Sequence, residues 1–304
     1  MMTTIPTHPK KFLLSTLYSF ARHTITGELT FSFIKIKKGM HVLFDIKGHL
    51  RLMRVLNHPQ SARITVSHPK LAFKYLDDYV SLNLSTKNRL SLLVAHYSFL
   101  QNKFKNDFLD IMENRSIQLW IDHINGATFT LKMNFPKKLH SEGDICLTLI
   151  KDDKFVYRLI FVVADGRSFD VADENVILIS SIQGVYGIDS VKATTKACHD
   201  IHPTHMLMAA VSGIGMTMGI GTILGIKTKH QIANNGNFYF SYDMFFEQYG
   251  EMIEAHSLYR IQLPYAEVPI SSIKSNHKKR TMEKRIYKNE IIAQAGQTLK
   301  KYLI

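Results

Sequence analysis

At 304 residues, 45% apolar and 21% charged, the chain has the composition of a globular protein with room for one large domain or two smaller ones, which excludes a fibrous or disordered class. A formal charge of +13 favours polyanionic contacts, whether nucleic acid, anionic lipid or acidic protein faces. Only Cys146 and Cys198 are present, which excludes a disulfide framework and makes a reducing, cytoplasmic setting the expectation.

The positive charge is concentrated at the two ends. Between Lys10 and Arg54 nine Lys/Arg face only Glu28 and Asp45, and between Lys274 and Lys301 nine face only Glu283 and Glu290. The first of these stretches contains Lys10-Lys11 followed by FLLSTLYSFA, which superficially copies a secretory signal. Polar residues interrupt its apolar part and Arg22-His23 stands where a small-residue cleavage site is needed, so export is not expected.

The N-terminal part, 1–115, reads as helical. In LAFKYLDDYVSLNLSTKNRLSLLVAHYSFLQNKF the apolar residues recur at three and four spacing, and Leu90, Leu93, Val94 and Tyr97 share a face. Asn83 to Thr86 interrupts the pattern and Ser85 can cap a second helix, so two helices in a hairpin are expected.

After Asn114 the period changes to two. IQLWIDHI, ATFTLKMNF, DICLTLIKD and KFVYRLIFVVAD are separated by Asn125-Gly126, Ser141-Glu142-Gly143 and Asp152-Asp153, which predicts an antiparallel meander. NVILISSIQG is more continuously apolar and reads as a more deeply buried strand. Helices come next at Ser190 to His199 and Thr204 to Met218, then a strand at Thr222 to Ile226. Ser241 can cap the helix in YDMFFEQYG, and Leu258 to Leu263 returns as a strand. Pro264 to Asn276 reads as a connection to a basic terminal helix.

From Ile201 to Ile226 there is no charged residue, and the 21-residue run from Met206 is long enough to cross a bilayer. Gly-Ile-Gly at 219 to 221 reads instead as a helix end and turn, so a buried helix followed by a buried strand is expected. Gly215 and Gly219 have the small-xxx-small spacing that suits close backbone packing. The predicted fold is α+β: a helical N-terminal region, then from 116 to 304 a mixed, largely antiparallel sheet with packed helices. An acetyltransferase-like C-terminal half is compatible with that order.

Several of these segments resemble the VirK/YbjX family of Gram-negative bacteria. The resemblance runs from about His68 to the terminal helix, through His96-Tyr97, Gln183-Gly184, Thr195, Lys196, His199, Pro203, Gly225 and His230. It continues through Tyr242, Asp243, Phe245, Glu247 and Gly250 to Leu263-Pro264, Lys278 to Arg280, and Arg285. Asp200, His202 and Phe246 depart from the family's usual glycine, arginine and tryptophan. The resemblance implies a role in virulence, envelope integrity and resistance to cationic antimicrobial peptides, and it brings no catalytic residues with it.

Four groups of residues are candidates for chemistry. The turn Gln183-Gly184-Val185-Tyr186-Gly187, between a strand and a helix, presents backbone N–H groups of the kind that cradle an anion, so Gln183, Gly184 and Gly187 are the candidates for an acyl-coenzyme A donor. The spacing Gln-Gly-x-x-Gly does not match the acetyltransferase turn, and a purely structural turn is the competing reading. His96, His230 and Asp243 are the titratable groups in family-like motifs, hence candidates for acid–base work. His96, on an apolar helix, also reads as a hydrogen-bonded core histidine, and Asp243 as a favourable first-turn carboxylate.

Cys198, His199, His202 and His205 crowd eight residues, but Pro203 destroys the facing that metal binding would need, and no metal is expected. Finally, Lys278, Lys279, Arg280 and Arg285 on the terminal helix are candidates for anion or lipid contact. Tyr287 alone interleaves them, which disfavours nucleic acid. The combined reading is a cytoplasmic protein, with attachment at the inner membrane as its variant, that binds or scaffolds at an anionic surface or an envelope protein. An acyltransferase is the alternative.

Overall fold

The computed structural model describes residues 40–136, 141–184, 188–233 and 240–304. The chain divides into two units, Met1–Ile46 and Lys47–Ile304, and the sheet with its packed helices belongs to the second. The basic segment 10–22 and Gly187 lie outside the described residues.

Helices α1 (Ile46–Leu56), α2 (Pro59–Ser67), α3 (Thr86–Lys103) and α4 (Phe108–Asn114) precede the sheet. The expected helical hairpin is realised only in its second arm. Ser85 caps α3 by accepting the N–H of Asn88, as its sequence suggests, but Pro69–Leu76 is a 3-10 helix. Leu71 with Lys74, and Ala72 with Tyr75, are buried pairs three residues apart, the repeat that a 3-10 helix places on one face.

Eight strands form one mixed sheet in the order β1-β2-β3-β4-β5-β6-β8-β7. The meander is β1 (Ile117–Ile124), β2 (Ala127–Asn134), β3 (Ile145–Lys151), β4 (Lys154–Asp165) and β5 (Asn175–Gly184). Asn125-Gly126 and Asp152-Asp153 all take positive φ, the backbone that a two-residue hairpin turn demands. Helices α5 (Ile188–Ala197) and α6 (Pro203–Met218) then lead to β6 (Thr222–Ile226), which pairs with β5 in parallel. A short α7 (Tyr242–Phe246), capped by Ser241, precedes β7 (Glu251–Ile253) and β8 (Leu258–Gln262). Long runs of β4 and β5 are buried without alternation, so both faces are covered there, and α3 and α6 are among the elements packed against β4.

The uncharged run resolves into a helix and a strand. Gly219 ends α6 in the left-handed conformation at φ 77°, returning its N–H to Gly215 and Met216, and β6 comes next, fully buried. No helix among the described residues is long and apolar enough to cross a membrane.

The terminal helix α8 (Ser275–Lys300) lies against α6 and β1. The close approach of α6 and α8 is made at Gly213 and Gly296 rather than at Gly215 and Gly219. A Cβ on Gly213 would stand 2.3 Å from the carbonyl oxygen of Ile292, and one on Gly296 would stand 2.6 Å from Thr217 Oγ1. That crossing brings the N-terminal ends of the two helices to the same edge of the molecule.

Candidate functional site

A cleft of about 470 Å³ opens at that edge. Its floor comes from the entry to α6. His199 and Asp200 both take left-handed φ, near 54° and 55°, and turn the chain between α5 and α6. His202 then caps α6, its Nδ1 accepting the N–H of Thr204 at 3.4 Å, with Pro203 at the first helical position where no N–H is needed. One wall is Tyr249, at the end of the α7 turn, meeting Tyr265 edge to face with ring centres 5.0 Å apart. The opposite wall is α8, through Lys284, Arg285 and Lys288.

The charges of this wall are unequally satisfied. Glu267, from the segment after β8, receives Arg285 Nε at 2.6 Å and also pairs with Lys288. Asp200 turns its carboxylate to Arg280 at 2.6 Å, while Lys284 Nζ donates to the Asp200 carbonyl at 2.7 Å. Lys284 therefore has no carboxylate within ion-pair distance among the described residues.

The surplus of positive charge is felt by His205. Burial first, and then His202, Lys288 and Lys284, push His205 down to about 4, and burial lowers His202 as well. Both rings are neutral at pH 7. His205 Nδ1 and the Tyr249 hydroxyl are hydrogen-bonded at 2.5 Å. Burial, then Tyr265 and Glu267, hold that phenol well above its usual pKa, so it keeps its proton.

The residues proposed from sequence fall in four separate places. His96 is fully buried on α3, and its Nδ1 accepts the N–H of Val163 at 3.0 Å, where β4 runs on beyond its pairing with β3. It is a core histidine. His230 and Asp243 lie at the end of β6. Asp243 accepts the N–H of Thr228 at 3.4 Å, and its charge partly offsets the lowering that burial, Lys229 and Lys227 impose on His230. His96 shares no contact with that pair, because its electrical neighbours are Asp144 and Lys74. The three do not converge on one acid–base centre.

Gln183 and Gly184 are the last residues of β5, not a free turn. Gln183 donates to Glu142 Oε1 at 2.5 Å and accepts from Arg158. Gly184 stands opposite Tyr157, whose ring would come within 2.6 Å of an added Cβ, so glycine there makes room for an aromatic neighbour. Both residues have duties within the fold that need no ligand.

Of the Cys-His cluster, His202 and His205 line the cleft with ring centres 6.5 Å apart. Cys198 is buried, with its thiol pushed up to about 11 by burial, and His199 packs on Tyr287. Of the four cations proposed for anion contact, Arg280 and Arg285 are paired with Asp200 and Glu267, whereas Lys278 and Lys279 have no ion-pair partner among the described residues.

Sequence reasoning missed a buried ionic cluster. Lys74 Nζ meets Asp144 Oδ1 at 2.6 Å, and the hydroxyl of Tyr79 donates to Asp144 Oδ2 at 2.5 Å. The only sequence signal is a lysine at an apolar-periodic position of PKLAFKYL. Tyr249, Tyr265, Glu267 and Lys284 were also missed as a set, because they converge from segments separated along the chain.

Comparison with known proteins adds a family to this geometry. The chain is 23% identical over 249 residues to the uncharacterized protein YbjX of Escherichia coli, covering 77% of this chain and 73% of that protein. It is 25% identical over 189 residues to the membrane protein LapB of Mannheimia haemolytica, covering 60% and 77%. No solved structure matches. The sequence profile of DUF535, described as a protein of unknown function, matches residues 40–295. With the matched span reaching from before α1 into the last turns of α8, the chain belongs to the DUF535 family, the family of YbjX and VirK.

Proposed function

We propose that this protein works by binding, resting the N-terminal half of α8 on an anionic membrane surface in support of envelope integrity, virulence and antimicrobial-peptide resistance. The observation that carries this reading is a stripe on α8. Lys278, Met282 and Ile286 succeed one another at four-residue spacing, with Lys279 beside them, and so share a face. Met282 is 44% exposed and Ile286 53% exposed. Cations with no ion-pair partner among the described residues, flanking exposed apolar side chains, are the composition of an interfacial helix: the cations meet headgroups and the apolar groups enter the acyl boundary. A relative that is named a membrane protein supports the same reading.

Sedimentation with vesicles tests it. The protein is expected to pellet with vesicles rich in phosphatidylglycerol and not with pure phosphatidylcholine. Replacing Lys278 and Lys279 by serine should weaken binding by roughly tenfold or more, since each cation near an anionic surface contributes about 1 kcal/mol. Met282→Ser with Ile286→Ser should weaken it further, with little change in salt dependence. Equal sedimentation with both lipids, or none with either, refutes the proposal.

A further inference from the structure

We infer that the cleft between α6, α8 and the segment after β8 is a binding site for a phosphate monoester carried on an organic group. This goes beyond surface attachment, because Lys278, Lys279, Met282 and Ile286 take no part in it.

Space is the first argument. A concavity of about 470 Å³ is in the size range of small-molecule sites. Its walls are of two kinds, as such sites require. Tyr249, Tyr265, Ile201, Val268 and Ile273 offer an apolar and aromatic side for an organic group. The hydrogen bond from Tyr249 to His205 holds one of those aromatic walls in place before any ligand arrives.

Charge is the second. Three cations, Lys284, Arg285 and Lys288, line the cleft, and Glu267 engages two of them. Lys284 donates to the Asp200 carbonyl, while the Asp200 carboxylate, whose charge Lys284 also feels, makes its ion pair with Arg280. An ammonium at the wall of a cleft with no carboxylate within ion-pair distance among the described residues is a place where an anion gains a charge-assisted hydrogen bond without first displacing a carboxylate.

The number of donors decides the kind of anion. The Arg285–Lys288 pair already grips a carboxylate, that of Glu267. What remains is Lys284 and the neutral rings of His202 and His205, whose Nδ1 atoms accept from Thr204 and Tyr249 and so leave each ring proton on Nε2. If the ligand also draws Arg285 and Lys288 from Glu267, five side chains donate. A carboxylate has two oxygens to offer, whereas a phosphate monoester has three terminal oxygens and about two negative charges, and matches this donor set better. Glu267 then acts as an internal competitor for the same cations.

The test is calorimetric titration of the full chain with phenyl phosphate, with benzoate as the comparison. Phenyl phosphate is expected to bind in the millimolar range or tighter, and benzoate more weakly. Lys284→Met with Lys288→Met should cost at least about tenfold in affinity, the scale of one lost charge-assisted hydrogen bond. Glu267→Gln should raise affinity, an effect that misfolding cannot produce. Vesicles containing phosphatidic acid, compared with phosphatidylglycerol at equal charge, identify the source. Preference for phosphatidic acid without binding of phenyl phosphate assigns the site to a lipid headgroup, and binding of phenyl phosphate assigns it to a free ligand. Failure of phenyl phosphate together with no preference between the two lipids overturns the inference, as does benzoate binding as tightly as phenyl phosphate. Serine at Lys278 and Lys279 should leave phenyl phosphate binding unchanged, so the two proposals stand or fall separately.

Discussion

Replacing Asp144 with alanine is expected to destabilise the fold by about 3–5 kcal/mol, the cost of leaving one member of a buried ion pair without its partner. The Lys74 and Asp144 side chains are only 4% and 1% exposed, so water cannot take the place of either. Burial lowers the pKa of Lys74, while the charge of Asp144 and its hydrogen bond to Lys74, and then the charge of Glu142, oppose that lowering. Without Asp144 most of that opposition is removed, and Tyr79 also loses its acceptor. What remains is an ammonium held by the Gly143 carbonyl at 3.3 Å and the face of Tyr79 at 4.6 Å. The pair joins the 3-10 helix of Pro69–Leu76 to the residue just before β3, so its loss should loosen the N-terminal helices from the sheet. Urea unfolding measures the effect. The double variant Lys74→Met with Asp144→Leu should recover much of the loss, since an apolar pair of similar volume needs no charge compensation. A single-variant loss below about 1 kcal/mol, the scale of an exposed pair, would contradict the burial on which this rests.

The parts of the fold that sequence reasoning reached are those specified locally. The meander was legible because alternation, hairpin-forming residues and strand length agree, and the positive φ angles of Asn125, Gly126, Asp152 and Asp153 show why those residues stand there. The helix-then-strand reading of 206–226 rested on one local fact, the glycine that ends α6 in the left-handed region. Lys74 shows where local reasoning ends. On an amphipathic pattern a lysine reads as solvated, and only the arrival of Asp144, seventy residues later, makes it a core residue. The cleft is of the same kind. Residues 200–205, 249, 265–268 and 284–288 meet because Gly213 and Gly296 let α6 and α8 touch, and neither glycine shows in the sequence which partner it admits. Gln183 and Gly184 illustrate the converse. A glycine after a strand resembles an anion turn, and the ring of Tyr157, on the neighbouring strand, supplies a packing reason for it.

Stability is expected to fall as the pH is lowered from 7 to 5, and His96 should account for about 2 kcal/mol of the loss. Its folded pKa is pushed down from 6.5 to about 4, by burial first, with Lys74 adding to the lowering and Asp144 opposing it. The unfolded chain therefore binds a proton in the window between pH 6.5 and pH 4 that the folded chain refuses. Stability from this source is complete above pH 6.5, falls through the window, and is gone below the folded pKa. The geometry gives the reason. Nδ1 is taken by the N–H of Val163, Nε2 is buried with no hydrogen-bond partner among the described residues, and a protonated ring would set a second donor against a backbone donor. His49, with its Nδ1 at 3.1 Å from the Tyr75 hydroxyl and its pKa also near 4, should act in the same sense, as should the less enclosed His205. Denaturant unfolding at pH 7 and pH 5 gives the slope, and His96→Asn gives the assignment, because an amide oxygen can still accept from Val163 but does not titrate. That variant should be less stable than the parent at pH 7 and should lose less stability on acidification. If parent and variant lose the same amount between the two pH values, His96 is not the group that titrates.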